Sequence, residues 1–315
     1  MAANPGRGVS SPTNVTAVSD ALTRYRSADE DSARWQEFPF RPGDIVISTR
    51  SKSGTTWMQM VCALLVLRTP ELPAPLTELS PWLDWLVEPQ EVVYARLAAQ
   101  RHRRFIKTHT PLDGVPGDPR AHYVVVARHP LDMAVSLHHQ SVNLDRARLA
   151  ELTGQPAVPQ QSGPRQPVEQ ALVRWIDADP DPRAELDSLP GVMWHLRGAW
   201  ARRHRPNVHL VHYDDLRADL PGQMHRLAER LGLQPPGPDL VEAATFDRMR
   251  ARADLLAPDP AGVLKDRRAF FRSGRSGQGN ALLDEETRDR YRARAAALAP
   301  PDLLSWLHRG PARPR

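Results

Sequence analysis

The 315-residue chain is long enough to bury one large core or two small ones. Its 41% apolar and 25% charged residues are ordinary for a folded protein, and no apolar run approaches the roughly 20 residues of a membrane span. A net charge of +5 favours anionic ligands, but no basic tract or aromatic-interleaved stripe points to nucleic acid.

Residues 1–24 contain no hydrophobic stretch and read as a disordered leader rather than a secretory signal. Folded structure is expected from Tyr25, with long loops accommodating much of the proline. Asp44-Ile45-Val46-Ile47-Ser48 predicts a short strand, and a polar turn holding Gly54 follows it. From 55 to about 68 the apolar spacing predicts a mostly buried helix, so this is a strand–loop–helix unit. A helix is expected over 88–101 and a strand over 104–108. His122-Tyr123-Val124-Val125-Val126-Ala127 is the unbroken β-branched run of a strand covered on both faces. Pro130 is placed to open a helix running to about residue 140. Residues 145–190 turn to Pro, Gln, Asp and Ala, which predicts a flexible lid or insert with one short helix near 168–176. Helices over 191–203, 216–231, 239–249 and 284–298 follow, with a strand over 207–213 and a disordered tail over 309–315. Alternating strands and helices indicate one α/β domain over 25–308, built on a central, mainly parallel sheet flanked by helices. The single cysteine, Cys62, excludes an intrachain disulfide and fits a cytoplasmic setting.

The chemistry concentrates in Arg50-Ser51-Lys52-Ser53-Gly54-Thr55-Thr56-Trp57, between the first strand and its helix. Small polar residues running into a helix N-terminus aim backbone N–H groups and the positive dipole end at one spot, an anion site. Only Lys52, Lys107 and Lys265 among the 42 Lys and Arg are lysine. Where arginine is the default cation, a lysine marks a need for a compact ammonium, although Lys265 has no motif around it. A nucleotide kinase would need Gly-Lys-Ser/Thr after an earlier glycine and a magnesium-binding acid. The order here is Lys-Ser-Gly, the next strand ends in Arg128, and no metal is implied.

Lys52-Ser53-Gly54-Thr55-Thr56-Trp57 resembles the 5′-phosphosulfate loop of cytosolic-type sulfotransferases. Phe105-Ile106-Lys107-Thr108-His109 resembles their catalytic strand end, and the run from Val126 to Ser136 their 3′-phosphate motif. His212-Tyr213-Asp214-Asp215-Leu216 resembles the strand end near the adenine, and Phe271-Arg272-Ser273-Gly274 the late loop that returns to the 3′-phosphate. The likeness spans residues 42–298. Leu79-Ser80-Pro81-Trp82-Leu83-Asp84, the stretch 102–114 and Ala299-Pro300-Pro301-Asp302-Leu303-Leu304 make it most similar to bacterial glycolipid sulfotransferases.

That resemblance implies 3′-phosphoadenosine-5′-phosphosulfate (PAPS) as sulfo donor and 3′-phosphoadenosine-5′-phosphate (PAP) as product. The loop from Lys52 to Trp57 would hold the phosphosulfate, with Arg128, Ser136, Arg272, Ser273 and Gly274 toward the 3′-phosphate. Tyr213, Thr245, Phe246 and Phe271 would lie near the nucleoside. Two departures stand out: Ser273 replaces a frequent lysine, a loss that Arg275 is placed to offset, and Gln278-Gly279 replaces a common Asp-Trp pair.

The residue types fit this chemistry by themselves. An acceptor hydroxyl must lose its proton, and His109 has the suitable intrinsic pKa for a general base. Lys52 and Lys107 can stabilise charge developing in the transition state, and arginine forks suit phosphate. Trp82 and Trp85, with Leu83 and Leu86, either line an acceptor pocket or belong to the core. A glycolipid, an alcohol and a phenol all fit as acceptor. The competing classes are a nucleotide-dependent kinase and a non-catalytic nucleotide-binding protein.

Overall fold

The computed structural model describes residues 21–156 and 166–309. Strands β1 (Ile45–Ser48), β2 (Phe105–Thr108), β3 (His122–Ala127) and β4 (Val208–His212) pair in the order β2-β1-β3-β4, all parallel. Both faces of this sheet are covered, which explains its β-branched runs: Ile45, Val46 and Ile47 are each fully buried. On one face Val46, Ile106, Tyr123 and Val125 meet the helices Pro130–Asn143, Val168–Asp177, Leu189–Ala201 and Glu285–Leu298. On the other, Ile45, Ile47, Phe105 and Val124 meet the helices Thr55–Leu67 and Leu220–Arg230. At the foot of the sheet the Arg104 guanidinium pairs with the Asp44 carboxylate, both fully buried, so neither charge is left alone in the core.

The strand order decides where the site lies. The chain leaves β1 for a neighbour on one side, β2, and then returns to the other side as β3. A reversal of that kind opens a crevice at the carboxyl ends of the strands. The segments after all four strands gather there.

Several boundaries differ from the sequence expectation, each for a local reason. The stretch 216–231 is two helices, Tyr213–Ala218 and Leu220–Arg230, because Asp219 leaves helical geometry and its carboxylate caps the Gly222 N–H at 2.9 Å. The stretch 239–249 likewise divides into Pro238–Ala243 and Phe246–Ala251, with Thr245 extended between them. Within 145–190, a second helix, Arg146–Thr153, is capped by the Asp145 carboxylate. The helix Val168–Asp177 buries Leu172 and Ile176 in the core; residues 157–165 lie outside the described residues. The packed chain starts before Tyr25, since the Thr23 N–H donates to the Asp113 carbonyl and Arg24 pairs with Asp31. It extends to Arg309, which pairs with Asp215. The expectations for 1–20 and 310–315 lie outside the described residues. No helix of the described residues is long and apolar enough to cross a membrane.

Candidate active site

A cavity of about 850 Å³ opens where the strands end. Its floor is the loop between β1 and the helix Thr55–Leu67. That loop turns through two positive φ angles, 62° at Lys52 and 109° at Gly54. A Cβ at Gly54 would stand 2.9 Å from the Tyr213 ring, so glycine is needed both for the turn and for the close approach of Tyr213. Thr49 and Thr55 join their hydroxyls across the loop. The side chain of Lys52 rises from it, with Nζ 3.8 Å from the centre of the Phe270 ring and 3.4 Å from Gln140 Oε1. Burial, then Arg128, Lys107 and Arg272, push this ammonium down to about 7.

Lys107 and His109 come from the end of β2. Lys107 Nζ sits 3.5 Å over the Trp82 ring and is also pushed down to about 7, by burial, with Glu30 and then Asp84 pulling the other way. The buried His109 ring stands edge-on to Trp82, with centroids 4.6 Å apart. Its Nδ1 donates to the Thr49 carbonyl, which can only accept, so the lone pair is on Nε2. Burial first, then Lys107 and Arg50, hold the imidazole well below its usual pKa and therefore neutral at pH 7. Behind this strand end, the Thr108 and Thr110 hydroxyls and the Trp35 indole all donate to the buried Asp84 carboxylate. That network fixes the segment carrying His109.

Arg128 ends β3. It donates to the Lys52 carbonyl (3.1 Å) and the Arg275 carbonyl (2.9 Å) and stacks over Tyr213 with 4.5 Å to the ring centre. Arg272, from the late loop, donates to Gln278 Oε1 at 2.7 Å. Among the described residues, the buried Nε of each arginine has no partner. An unpaired buried donor costs about 1–3 kcal/mol, and two on neighbouring cations are what an anion would satisfy. Gly279 packs its backbone against Leu131, where a Cβ would come within 2.5 Å, and Asp132 accepts from the Gly277 and Gly279 N–H groups. Glycine at this departure therefore lets the late loop close onto the helix Pro130–Asn143.

Of the site residues singled out in the sequence, Ser53, Thr245, Leu83, Leu86 and Arg275 do not line the cavity, Leu83 being fully buried in the main core, and the rest do. Ser53 is buried beneath the loop, its N–H donating to the Arg50 carbonyl, and the Thr245 hydroxyl is turned to the Glu242 carbonyl. Arg275 does not restore the cation lost at Ser273: its exposed side chain lies off the cavity and its carbonyl holds Arg128. Lys265 is exposed and outside the cavity. Trp82 and Trp85 stack at 4.7 Å and are both lining and small core, packed with Val263, Leu144 and Leu149. The sequence reading missed Glu30, Gln140, Asp187 and Phe270 as lining residues, and gave Arg50 no role of its own within the anion loop. Gln140 lies one helical turn beyond Ser136, a signal the sequence carried; Glu30 and Asp187 carried none. Among the described residues no cluster of three or more His, Cys, Asp or Glu forms a metal site.

A family model for the sulfotransferase domain matches residues 42–298. A glycolipid sulfotransferase of Mycobacterium bovis (strain BCG / Pasteur 1173P2) is 42% identical over 308 residues, covering 91% of this chain and 94% of the relative. Among solved structures, mouse sulfotransferase SULT7A1 complexed with PAP superposes with a TM-score of 0.64 at 18% identity, covering 87% of this chain and 90% of that one. Retinol dehydratase in complex with androsterone and inactive cofactor PAP gives 0.61 at 22% identity, covering 90% and 87%.

Proposed function

The chain belongs to the sulfotransferase family, and from that premise we propose that it moves a sulfo group from PAPS to a hydroxyl of a glycolipid. The observation that carries this reading is the convergence of Lys52, Lys107 and a neutral His109, with Nε2 free to accept, on one cavity with three arginines, Arg50, Arg128 and Arg272, whose Nε groups are unpaired among the described residues. Family membership removes the kinase and the non-catalytic binder. Arg128, Arg272 and the Ser136 hydroxyl suit a 3′-phosphate, and the N–H groups of the loop into Thr55 suit the phosphosulfate. Two relatives of the fold carry PAP in their solved structures.

In this reading His109 Nε2 takes the acceptor proton as the acceptor oxygen bonds to sulfur. The bond from sulfur to the bridging oxygen breaks, and Lys52 and Lys107 meet the negative charge left on that oxygen. The donor's anionic groups offset the crowded cations, raising His109 toward its ordinary range and nearer the operating pH. On the acceptor side, Trp82, Trp85, Leu144 and Leu149 supply an apolar wall, and Asp29, Glu30 and Asp187 supply acceptors for hydroxyls. A glycolipid presents both surfaces, a simple phenol only one, and the 42% identical relative is a glycolipid sulfotransferase. The single, buried Cys62 supports a cytoplasmic setting.

The test has two arms. PAP, ADP and ATP are titrated with and without magnesium, and tight PAP binding indifferent to EDTA is expected. Turnover with PAPS is then compared on a glycolipid, a sterol and a simple phenol. A higher kcat/KM on the phenol would overturn the acceptor assignment, and preference for ATP with magnesium would overturn the donor.

A further inference from the structure

Arg50 opens the anion loop, yet the transfer step above gives its hydrogen bonds no part. Its side chain is only 4% exposed, and its two terminal nitrogens reach in opposite directions. Nη1 donates to the backbone carbonyl of His109, and Nη2 donates to Asp187 Oδ1 at 2.7 Å. The carbonyl of the residue before it, Thr49, accepts the hydrogen bond from His109 Nδ1–H. Residues 49 and 50 thus grip the histidine at ring and backbone. Asp187 is itself built in. Trp175 of the helix Val168–Asp177 donates to its carbonyl at 2.8 Å, and the next residue, Ser188, caps the helix Leu189–Ala201. Gly191 presses that turn so closely that a Cβ would lie 2.3 Å from the Glu185 carbonyl. Two helices therefore set Asp187, which lines the acceptor side of the cavity.

We infer that Arg50 is a positioning residue, which fixes the strand end carrying His109 and takes its own orientation from Asp187; the inference rests on His109 being the base. A bidentate fork suits this task because it holds two acceptors at a set angle, which a lysine cannot do. A base displaced by 1 Å loses about 10²-fold in rate. Arg50 has a second effect through its charge. The groups facing His109 are Lys107 on its own strand segment, Arg50 from the loop, His195 from the helix Leu189–Ala201 and the Trp82 ring. Lys107 and Arg50 both disfavour the imidazolium, so the base stays unprotonated as the pH falls.

The experiment uses the full chain with Arg50→Lys, Arg50→Gln, Asp187→Asn and His109→Ala. PAP affinity reports the folded donor site, and kcat is followed against pH. Arg50→Gln should lower kcat by about 10–100-fold while PAP affinity stays within several-fold. Its activity should fall away at a higher pH than the parent's, because removing the cation raises the His109 pKa. Arg50→Lys keeps the charge and loses the fork, so kcat drops without that pH displacement. Asp187→Asn, at a partly exposed position, should lose about 3–10-fold in kcat with no upward displacement. A PAP-competent Arg50→Gln with the parent kcat and pH profile overturns the inference. If Arg50→Gln does not fold, unchanged kcat in both Arg50→Lys and Asp187→Asn overturns it instead. Turnover surviving His109→Ala refutes the assignment of the base, whereas an inactive His109→Ala beside a silent Arg50→Gln refutes only the positioning role.

Discussion

Binding of PAP should take up protons, and the two site lysines set the amount. Burial and neighbouring cations hold Lys52 and Lys107 near 7 in the open cavity. At pH 8 such a group is about nine-tenths deprotonated, against an ordinary lysine value of about 10.4. A polyanion between them sets opposite charge against that burial and cation repulsion and returns each toward that value. Uptake at pH 8 should lie between about 0.9 proton, from Lys52 alone, and about 1.8 from both. The choice of pH isolates the lysines, because His109 is neutral there whether or not PAP is bound, and a phosphate with its second pKa near 6 is fully ionised. The sign follows: above pH 7 the free lysines shed protons that the complex retains, so affinity weakens as pH rises. Calorimetry in HEPES and in Tris at pH 8, buffers without phosphate to compete for the site, reads the uptake from the difference in apparent enthalpy. Lys52→Met should remove about 0.9 proton, since burial and cations alone shift that lysine and no carboxylate compensates. Zero uptake, or net release, would refute the account of the cavity as a crowded cation site.

Arg128→Ala should weaken PAP by about 1.5–3 kcal/mol, roughly 10- to 150-fold, and leave adenosine 5′-phosphosulfate little changed. Equal loss on both ligands by titration would place Arg128 at the 5′ side instead. His109→Ala should cut turnover by ~10²–10⁴-fold with PAP affinity intact, and near-normal turnover on the physiological acceptor would sink the mechanism. Gly54→Ala sets a side chain at φ 109° and 2.9 Å from the Tyr213 ring. A backbone cost of about 1–2 kcal/mol, before any clash, should lower the melting temperature and weaken PAP. Unchanged melting and affinity would show that the loop tolerates a Cβ.

The elements legible in the sequence are those whose physics is local. A run such as His122-Tyr123-Val124-Val125-Val126-Ala127 can only be a strand covered on both sides, and the structure buries it between two helical layers. The polar loop into Thr55 carries within eight residues the make-up that suits an anion, small side chains running into a helix N-terminus, and the structure sets it against the cavity. Short helices such as Arg146–Thr153 and the breaks at Asp219 and Thr245 were harder to see, since a single cap decides them.

The sequence by itself determined the fold class, the loop and which side chains carry charge. Only the tertiary structure decided how they are presented. The Thr49 carbonyl selects the His109 tautomer across 60 residues of chain, and Arg50 meets Asp187 across 137. The depressed lysines depend on enclosure by side chains from separate loops and helices, and the cavity wall on Glu30 and Asp187, distant in the chain, arriving at one place. Contacts of that kind leave no periodicity or spacing in the sequence, because Coulomb interactions and desolvation depend on distance in space, and only the packed sheet sets that distance.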